Sequence, residues 1–254
     1  MIDIHCHVLH EMDDGANSLS DSVQLCMLGA ENGIEKIVLT PHLPAINDID
    51  EFLEKRKQKI EELQEEIDER KIEVEVYPGA EVYINEDVFF SQNLKKAAIN
   101  SGRYLLIEFD FYGLSMDRIC RYLDEIEKNG LVPIIAHPER YEYFQRDYNK
   151  INYLISERDT LFQVNAGSLA GLGTREEFSL AYQMVKKNVA SFIGTDAHSA
   201  RGRANDLLRL THFFPPDIEH RSLDYMVNIA PGSVLEDKRL PGINRGRLQR
   251  GRWF

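Results

Sequence analysis

Short runs of branched aliphatic and aromatic residues recur along the chain. They cover residues 2–8, 36–42, 72–80, 104–109, 132–137, 162–165 and 191–195. Runs of this length predict β-strands. Apolar and polar positions do not alternate strictly within them, so we expect strands that are buried on both faces, as in a parallel sheet.

Longer segments with helical spacing of their apolar residues lie between several of these strands. We predict helices over residues 20–33, 50–70, 116–129 and 174–187. Asn32-Gly33 is a typical helix stop after the first of them. Strands that alternate with helices predict βαβ units, and seven such units favour a TIM-like (βα)7 barrel, with the active site at the carboxyl ends of the strands.

The competing architecture is an open, doubly wound sheet. Its usual nucleotide-binding signatures are missing, because the glycines of residues 167–173 do not form GxGxxG and no GxxxxGKS or GxxxxGKT pattern occurs. The chain also lacks internal repeats and low-complexity linkers, so we expect one domain over residues 1–254. Residues 245–254, RGRLQRGRWF, stand out as an arginine-rich tail. We expect this tail to be a flexible terminus packed loosely on the acidic body, or else a docking segment for a partner or a second copy.

Charge and composition exclude several classes of function. The formal net charge is -12, which argues against a sequence-independent nucleic-acid binder. No apolar stretch approaches the roughly 18 residues of a membrane span, and residues 1–14 do not resemble a signal peptide. We therefore expect a cytoplasmic protein without membrane insertion, in which Cys6, Cys26 and Cys120 stay reduced.

Nearly every predicted strand ends in, or runs into, a histidine or a carboxylate. In a barrel these strand ends share one face, which is where active sites of this architecture lie. His5 and His7 are two residues apart, so both imidazoles point to one side of the first strand. The candidate metal ligands are His5, His7, Asp14, His42, Glu81, Glu108, His137, Asp196 and His198.

A single strand-end histidine is more often a structural residue than a ligand. The number of such groups here favours ligands instead, because four carboxylates on one face are costly unless cations neutralise them. Imidazole and carboxylate together suit Mn, Zn, Fe or Co, and nine ligands are enough for two or three ions. Arg140 and Arg203 follow two of these motifs and are candidates for binding phosphate oxygens, or else are solvent-exposed loop residues.

The motifs HCH, DDG, TPH, PGAE, LIEF, AHPER and GTDAH, the last followed by GR, resemble the polymerase-and-histidinol-phosphatase (PHP) superfamily. Within it the chain is most similar to the bacterial manganese-dependent protein tyrosine phosphatases of the CpsB/CapC type, from capsule and exopolysaccharide operons. The resemblance extends from residue 1 to about residue 203. It implies a distorted (βα)7 barrel of the PHP type with a trinuclear metal site.

The resemblance also implies a role for each candidate. One ion would lie among His5, His7, Glu81 and Asp196, a second among Glu81, Glu108 and His137, and a third among Asp14, His42 and His198. Arg140 and Arg203 match the family's substrate-phosphate arginines. The ions are expected to be Mn²⁺, with Fe, Zn, Co or Mg as alternatives.

The expected reaction is a one-step hydrolysis of phosphotyrosine by a hydroxide that bridges two ions. Arg140 and Arg203 would stabilise the charge on the transferring group, while His42 or a metal-bound water would protonate the phenolate. By resemblance, the partner would be a phosphotyrosine protein, namely the tyrosine-rich tail of a bacterial tyrosine kinase that controls capsule or exopolysaccharide synthesis. An oligomer is left open.

Four alternatives remain at this point. They are a histidinol-phosphate phosphatase, a nuclease-like phosphodiesterase, an amidohydrolase and a non-catalytic module that binds phosphotyrosine tails. A cysteine phosphatase is excluded, because its CxxxxxR loop needs an arginine six residues after the cysteine. The residues at those positions are Met12, Asn32 and Ile126.

Overall fold

The computed structural model describes residues 1–43, 49–90, 93–200 and 218–249. Over these ranges the strands are β1 Ile2–Cys6, β2 Lys36–Leu39, β3 His42–Leu43, β4 Glu75–Pro78, β5 Glu81–Tyr83, β6 Tyr104–Glu108, β7 Val132–Ala136, β8 Leu161–Asn165 and β9 Phe192–Gly194. The helices are α1 Leu19–Glu31, α2 Ile49–Arg70, α3 Met116–Lys128, α4 Glu142–Arg146, α5 Asn149–Arg158, α6 Ala166–Leu169, α7 Arg175–Lys186, α8 His220–Asp224 and α9 Ala230–Leu235. Each predicted strand segment overlaps a strand, and the four predicted helices are confirmed to within two residues.

The strands form two parallel sheets, so the fold is a mixed α/β fold. One sheet has the order β1-β2-β4, and the other has the order β3-β5-β6-β7-β8-β9. The second predicted strand is broken in two at Thr40-Pro41. The third ends at Pro78, and Gly79-Ala80 separates it from β5, a strand that lies outside the predicted segment. Pro41 has no backbone N–H to continue a ladder. As a result, the chain passes from the first sheet into the second at both breaks.

Backbone hydrogen bonds also join β1 to the residues that follow β9. The Asp196 N–H donates to the His5 carbonyl, and the His7 N–H donates to the Ala197 carbonyl, both at 2.8 Å. These two bonds bring the ends of the first and last strands side by side. They therefore place the HCH and GTDAH motifs next to each other.

The expected burial of the strands is confirmed for most of them. Ile4, Leu105, Ile134, Val164 and Ile193 are fully buried, whereas β4 is only partly covered along its length. The helices turn one apolar face toward the strands: in α3 these buried side chains are Ile119, Tyr122, Leu123 and Ile126. Removal of this apolar surface from water is the main term that holds helices and sheets together.

The helix ends follow local sequence signals. Ser18 begins α1 by accepting a hydrogen bond from the Asp21 N–H, and Gly33 after its end has a φ of 77°. Thr174 and Glu177 form a capping box at the start of α7. None of the helices in the described ranges combines the length and apolar character of a membrane span.

The arginine-rich tail is described as far as residue 249, and there it is docked by specific contacts. Arg245 donates to Asp159 at 2.8 Å, and the Leu248 N–H donates to the Asn152 side chain at 2.8 Å. Leu248 is buried. The expectation of a loosely packed terminus is therefore wrong for residues 245–249, since both charge and backbone groups find partners on the body. Residues 250–254 lie outside the described ranges.

Candidate metal centre

Two imidazoles of β1 begin the site. His5 and His7 are both fully buried, and their Nε2 atoms lie 3.2 Å apart. The intervening Cys6 points to the other side of the strand, where its thiol donates to the Val38 carbonyl. The period-two geometry of a strand thus brings both histidines to one face, as their spacing predicts.

Glu81 is the centre of the cluster. Its Oε2 atom lies 3.2 Å from His5 Nε2 and from His7 Nε2, and 3.1 Å from His42 Nδ1. Its Oε1 atom lies 2.9 Å from His137 Nε2. The break between β4 and β5 places Glu81 at the first residue of a new strand, paired in register with His42. One carboxylate therefore touches ligand candidates from three other strand ends.

The remaining candidates lie on two sides of Glu81. On one side, Glu108 at the end of β6 lies 3.3 Å from His137 Nε2. On the other side, Asp14 Oδ1 lies 3.4 Å from His198 Nε2 and 3.7 Å from His42 Nε2. Asp14 is largely exposed, so this side opens to solvent. The structure thus brings all nine candidate ligands into one continuous cluster.

Three groups within this cluster have ligand atoms that all lie within 4.8 Å of one another. They comprise His7 with Asp14, His42 and His198; His5 with His7 and Glu81; and His42 with Glu81 and Glu108. Asp196 adds a carboxylate 3.7 Å from His5 Nε2 and 3.5 Å from His7 Nε2. Separations this short would allow these side chains to bind shared ions.

Neighbouring polar side chains orient the ligand candidates. Asp13 accepts from His7 Nδ1 at 2.7 Å, and Gln163 accepts from His5 Nδ1 at 2.6 Å, so both rings turn Nε2 toward Glu81. Asn165 donates to Asp196 Oδ2 at 2.7 Å. Such outer partners set the tautomer and the direction of metal ligands.

These three partners, Asp13, Gln163 and Asn165, are not among the candidates predicted from the sequence. Gln163 and Asn165 are two residues apart on β8, and the Gln163 amide donates to Asn165 Oδ1 at 2.9 Å. That spacing on a strand that ends at the site is the signal that points to them. For Asp13, the signal is its place beside Asp14 in the DDG motif.

The charges in the cluster compensate one another. Burial opposes ionisation of Glu81, yet the surrounding imidazoles of His5, His137 and His7 hold its pKa well below the ordinary value. The same balance lowers the pKa of Asp196 to about 2. For His7 and His137 burial again opposes the charge, but the adjacent carboxylates raise each pKa to about 10. Protons on the imidazoles thus offset the negative charge of the carboxylates, which bound cations could also do.

The residues present fit divalent cations. Glu81 Oε2 is buried and makes no hydrogen bond of good geometry, although three imidazole nitrogens surround it. A carboxylate oxygen in such a setting is typical of a metal ligand. The donor set consists of imidazole nitrogens and carboxylate oxygens, which suits Mn, Fe, Zn or Co. The cluster is therefore a candidate site for two or three such ions.

One of the two candidate arginines lies at this cluster. Arg140 Nη1 is 3.4 Å from Asp196 Oδ2, and a third of its side chain is exposed. Its guanidinium lies 4.8 Å over the centroid of the Phe111 ring. Arg203 lies outside the described residues. The third candidate catalytic residue, His42, is 30% exposed at the open side of the cluster.

Comparisons with known proteins identify relatives of this chain. The chain is 32% identical over 219 residues to the tyrosine-protein phosphatase YwqE of Bacillus subtilis. The match covers 80% of this chain and 79% of YwqE. It is 34% identical over 211 residues to CapC of Staphylococcus aureus, covering 80% of this chain and 79% of CapC.

Solved structures add to these matches. One crystal structure, from a study of YwqE of Bacillus subtilis and CpsB of Streptococcus pneumoniae as metal-dependent tyrosine phosphatases, superposes with a TM-score of 0.80 at 26% identity. The match covers 98% of this chain and 100% of that chain. A D-hydantoinase matches with a TM-score of 0.56 at 10% identity over 96% of this chain and 73% of its own, which is a likeness of fold alone.

The family model described as "Capsular polysaccharide synthesis, CpsB/CapC" matches residues 1–236. This match covers every strand of the fold and all nine ligand candidates. The resemblance drawn from the sequence motifs is thereby confirmed. The chain belongs to the CpsB/CapC family.

Proposed function

We propose that this chain is a metal-dependent protein tyrosine phosphatase that hydrolyses phosphotyrosine in proteins. The observation that carries the proposal is the cluster of nine imidazole and carboxylate side chains centred on Glu81, with Arg140 beside them. The names of the relatives support the same reaction. A module that only binds phosphotyrosine would need the arginine but not this ligand set.

The proposed ligand sets are those that the family resemblance implies, and they coincide only in part with the three groups of mutually close side chains. Those groups contain neither His137 nor Asp196, and His42 lies with Glu81 and Glu108 in one of them. His5, His7, Glu81 and Asp196 would hold one cation, Glu81, Glu108 and His137 a second, and Asp14, His42 and His198 a third. Divalent cations bound there would supply a nucleophile at neutral pH by lowering the pKa of water, and would offset the charge of the phosphate. We propose Mn²⁺ as the physiological metal.

The residues of the chain have two further tasks in this proposal. Arg140 binds the phosphate oxygens and stabilises the charge that grows on them, and Arg203 is proposed to act with it. His42 was a candidate proton donor to the phenolate. Both of its ring nitrogens face carboxylates, Nδ1 toward Glu81 at 3.1 Å and Nε2 toward Asp14 at 3.7 Å. This geometry favours the role of a ligand for His42.

The proposed protein substrate is the tyrosine-rich tail of a bacterial tyrosine kinase that controls capsule or exopolysaccharide synthesis. The exposure of Asp14 and of His42 supports a substrate of this kind, because an extended peptide can reach a site that is open on one side. A histidinol-phosphate phosphatase would use the same ligand types on a small amino alcohol, so comparison of the two substrates separates the two activities.

We also propose that residues 1–254 form a single PHP domain with the distorted (βα)7 barrel of that superfamily. The parallel bonds between β1 and the residues after β9 support this architecture, since they join the first strand to the last. The docking of residues 245–249 on the body supports a single domain as well.

The test is metal analysis combined with phosphatase assays on protein purified without chelator. We expect two or three equivalents of bound divalent metal and hydrolysis of a phosphotyrosine peptide in preference to histidinol phosphate. Asp196→Ala and His198→Ala should each lower kcat by at least about 100-fold and reduce the bound metal. His220→Ala, in an exposed turn of α8, is the matched control. Unchanged turnover in both site variants would contradict the assignment.

A further inference from the structure

Phe111 lies in the loop between β6 and α3, beside the metal cluster but outside the ligand set. Its ring centroid is 5.7 Å from that of His137 and 5.4 Å from that of Tyr141. Its carbonyl accepts a hydrogen bond from the Glu142 N–H at 3.2 Å. Tyr141 is itself fully buried. Ring contacts thus fix the side chain of Phe111, and a hydrogen bond fixes its backbone.

The guanidinium of Arg140 lies 4.8 Å over the centroid of this ring. A guanidinium that stacks on an aromatic face keeps its N–H groups at its edges, where they remain available to a planar pair of oxygen atoms. Stacking also restricts a side chain that otherwise has many rotamers. The ring can thus orient the arginine without consuming its donors.

Among the described residues, the Arg140 side chain also contacts Asp196, with weaker geometry. Its Nη1 atom is 3.4 Å from Asp196 Oδ2, whereas good charge-assisted bonds between nitrogen and oxygen measure about 2.7 to 2.9 Å. Asp196 also accepts a 2.7 Å bond from the amide of Asn165 on the same oxygen. The contact with Asp196 therefore restrains the end of the arginine only loosely.

We propose that Phe111 is a positioning residue, which holds the Arg140 guanidinium with its donor edge ready for the terminal phosphate of a phosphomonoester. This inference rests on the proposed function in one respect, because it takes Arg140 to bind phosphate. It adds that the phosphate clamp is organised before the substrate arrives. The ring acts through the arginine and does not itself touch the phosphate.

The test replaces the aromatic face while keeping most of the volume. In Phe111→Leu and in Phe111→Met we expect the KM for a phosphotyrosine peptide and the inhibition constant of inorganic phosphate to rise together, by about 5- to 30-fold, the range of a partly desolvated cation–π contact. Phe111→Tyr, which retains an aromatic face, should keep the KM and the inhibition constant at their wild-type values. Tyr112→Leu, which alters the adjacent and largely exposed ring, is the matched control.

A structural role and a positioning role differ in a double-mutant cycle. In the Arg140→Ala background, Phe111→Leu should cause no further loss, because the group on which the ring acts is gone. Equal losses in both backgrounds, or altered metal content, would overturn the proposal. So would wild-type affinity for phosphate in both the Leu and the Met variant.

The failure of this inference can be told apart from the failure of the proposed function. Binding of inorganic phosphate to the manganese-loaded protein is measured by calorimetry, without any turnover. A wild-type protein that binds phosphate but does not hydrolyse phosphotyrosine would refute the proposed activity, while the Phe111 variants would still report on the clamp. Whether or not the wild-type protein hydrolyses phosphotyrosine, we expect Phe111→Leu to weaken phosphate binding by the factor given above.

Discussion

Asp13→Asn should weaken the metal centre without removing any proposed ligand. Asp13 Oδ2 accepts from His7 Nδ1 at 2.7 Å and from the His42 N–H at 2.8 Å, and its Oδ1 accepts from the Gly15 N–H at 2.9 Å. Three donors thus converge on two acceptor oxygens. Burial opposes the charge of this carboxylate, but its bonds from His7 and from the two backbone groups hold its pKa below the ordinary value.

Asparagine has the same shape but only one acceptor oxygen. Whichever way the amide turns, its NH₂ group faces either the Gly15 N–H or the pair formed by His7 and His42. At least one donor therefore loses its acceptor, and the negative charge behind His7 is lost. Outer-shell changes of this kind cost about 10- to 100-fold in metal affinity, which is about 1.4 to 2.8 kcal/mol.

In the assay, the protein is first stripped of metal with chelator and then titrated with Mn²⁺. Binding is measured by calorimetry, and phosphatase activity is measured in parallel. We expect the dissociation constant to rise by that factor and kcat at saturating Mn²⁺ to stay within a few fold of the wild-type value. Asp14→Asn, which changes a proposed ligand, should lower kcat even at saturation. Asp68→Asn, on the exposed side of α2, is the control. Wild-type affinity in Asp13→Asn would refute the reasoning.

Two further predictions concern the frame around the site. In Gly15→Ala the added Cβ would lie 2.1 Å from the His7 carbonyl oxygen, so the loop must shift. We expect the free energy of unfolding to fall by about 1 to 3 kcal/mol and the metal affinity to fall with it. Wild-type values for both quantities would contradict this prediction. Arg245→Met removes hydrogen bonds to Asp159 and Ser191. We expect the free energy of unfolding, measured with urea, to fall by about 1 kcal/mol and kcat to stay unchanged. An altered kcat would show that the tail affects the site.

Much of the fold could be predicted because its signals are local. The apolar strands and the capped helices α1, α3 and α7 each have a pattern within one segment of the chain. The breaks that separate β2 from β3 and β4 from β5 are not of this kind. They depend on how the chain passes from one sheet to the other, which a run of apolar residues does not reveal.

The shorter helices were missed for a related reason. α4, α6 and α8 have only four or five residues each, so they are too short to show a helical period. Their helical geometry depends on packing against the strands rather than on their own sequence. The position of Leu248 against α5 likewise depends on tertiary contacts, because its backbone bonds to Asn152 span 96 positions of the chain.

The ligand types were readable from the sequence, but the shape of the backbone that presents them was not. His137 and Asp196 have φ values of 31° and 52°, in the left-handed region that residues other than glycine rarely adopt. Nothing in either motif indicates this conformation. It persists because neighbouring backbone groups hold it: the Arg140 N–H donates to the His137 carbonyl at 2.9 Å, and the Asp196 N–H donates to the His5 carbonyl at 2.8 Å.

These backbone bonds tie the ligand candidates to one another. The bond from Asp196 to His5 joins the backbones of two residues proposed to share an ion. The bond from Arg140 to His137 places the proposed phosphate-binding arginine one turn after a candidate ligand. Unfavourable backbone geometry of about 1 to 3 kcal/mol per residue persists only where the surroundings over-determine it. The parallel sheets supply that constraint, so the convergence on Glu81 is a property of the whole fold, whereas each motif alone specifies only which donor atoms are present.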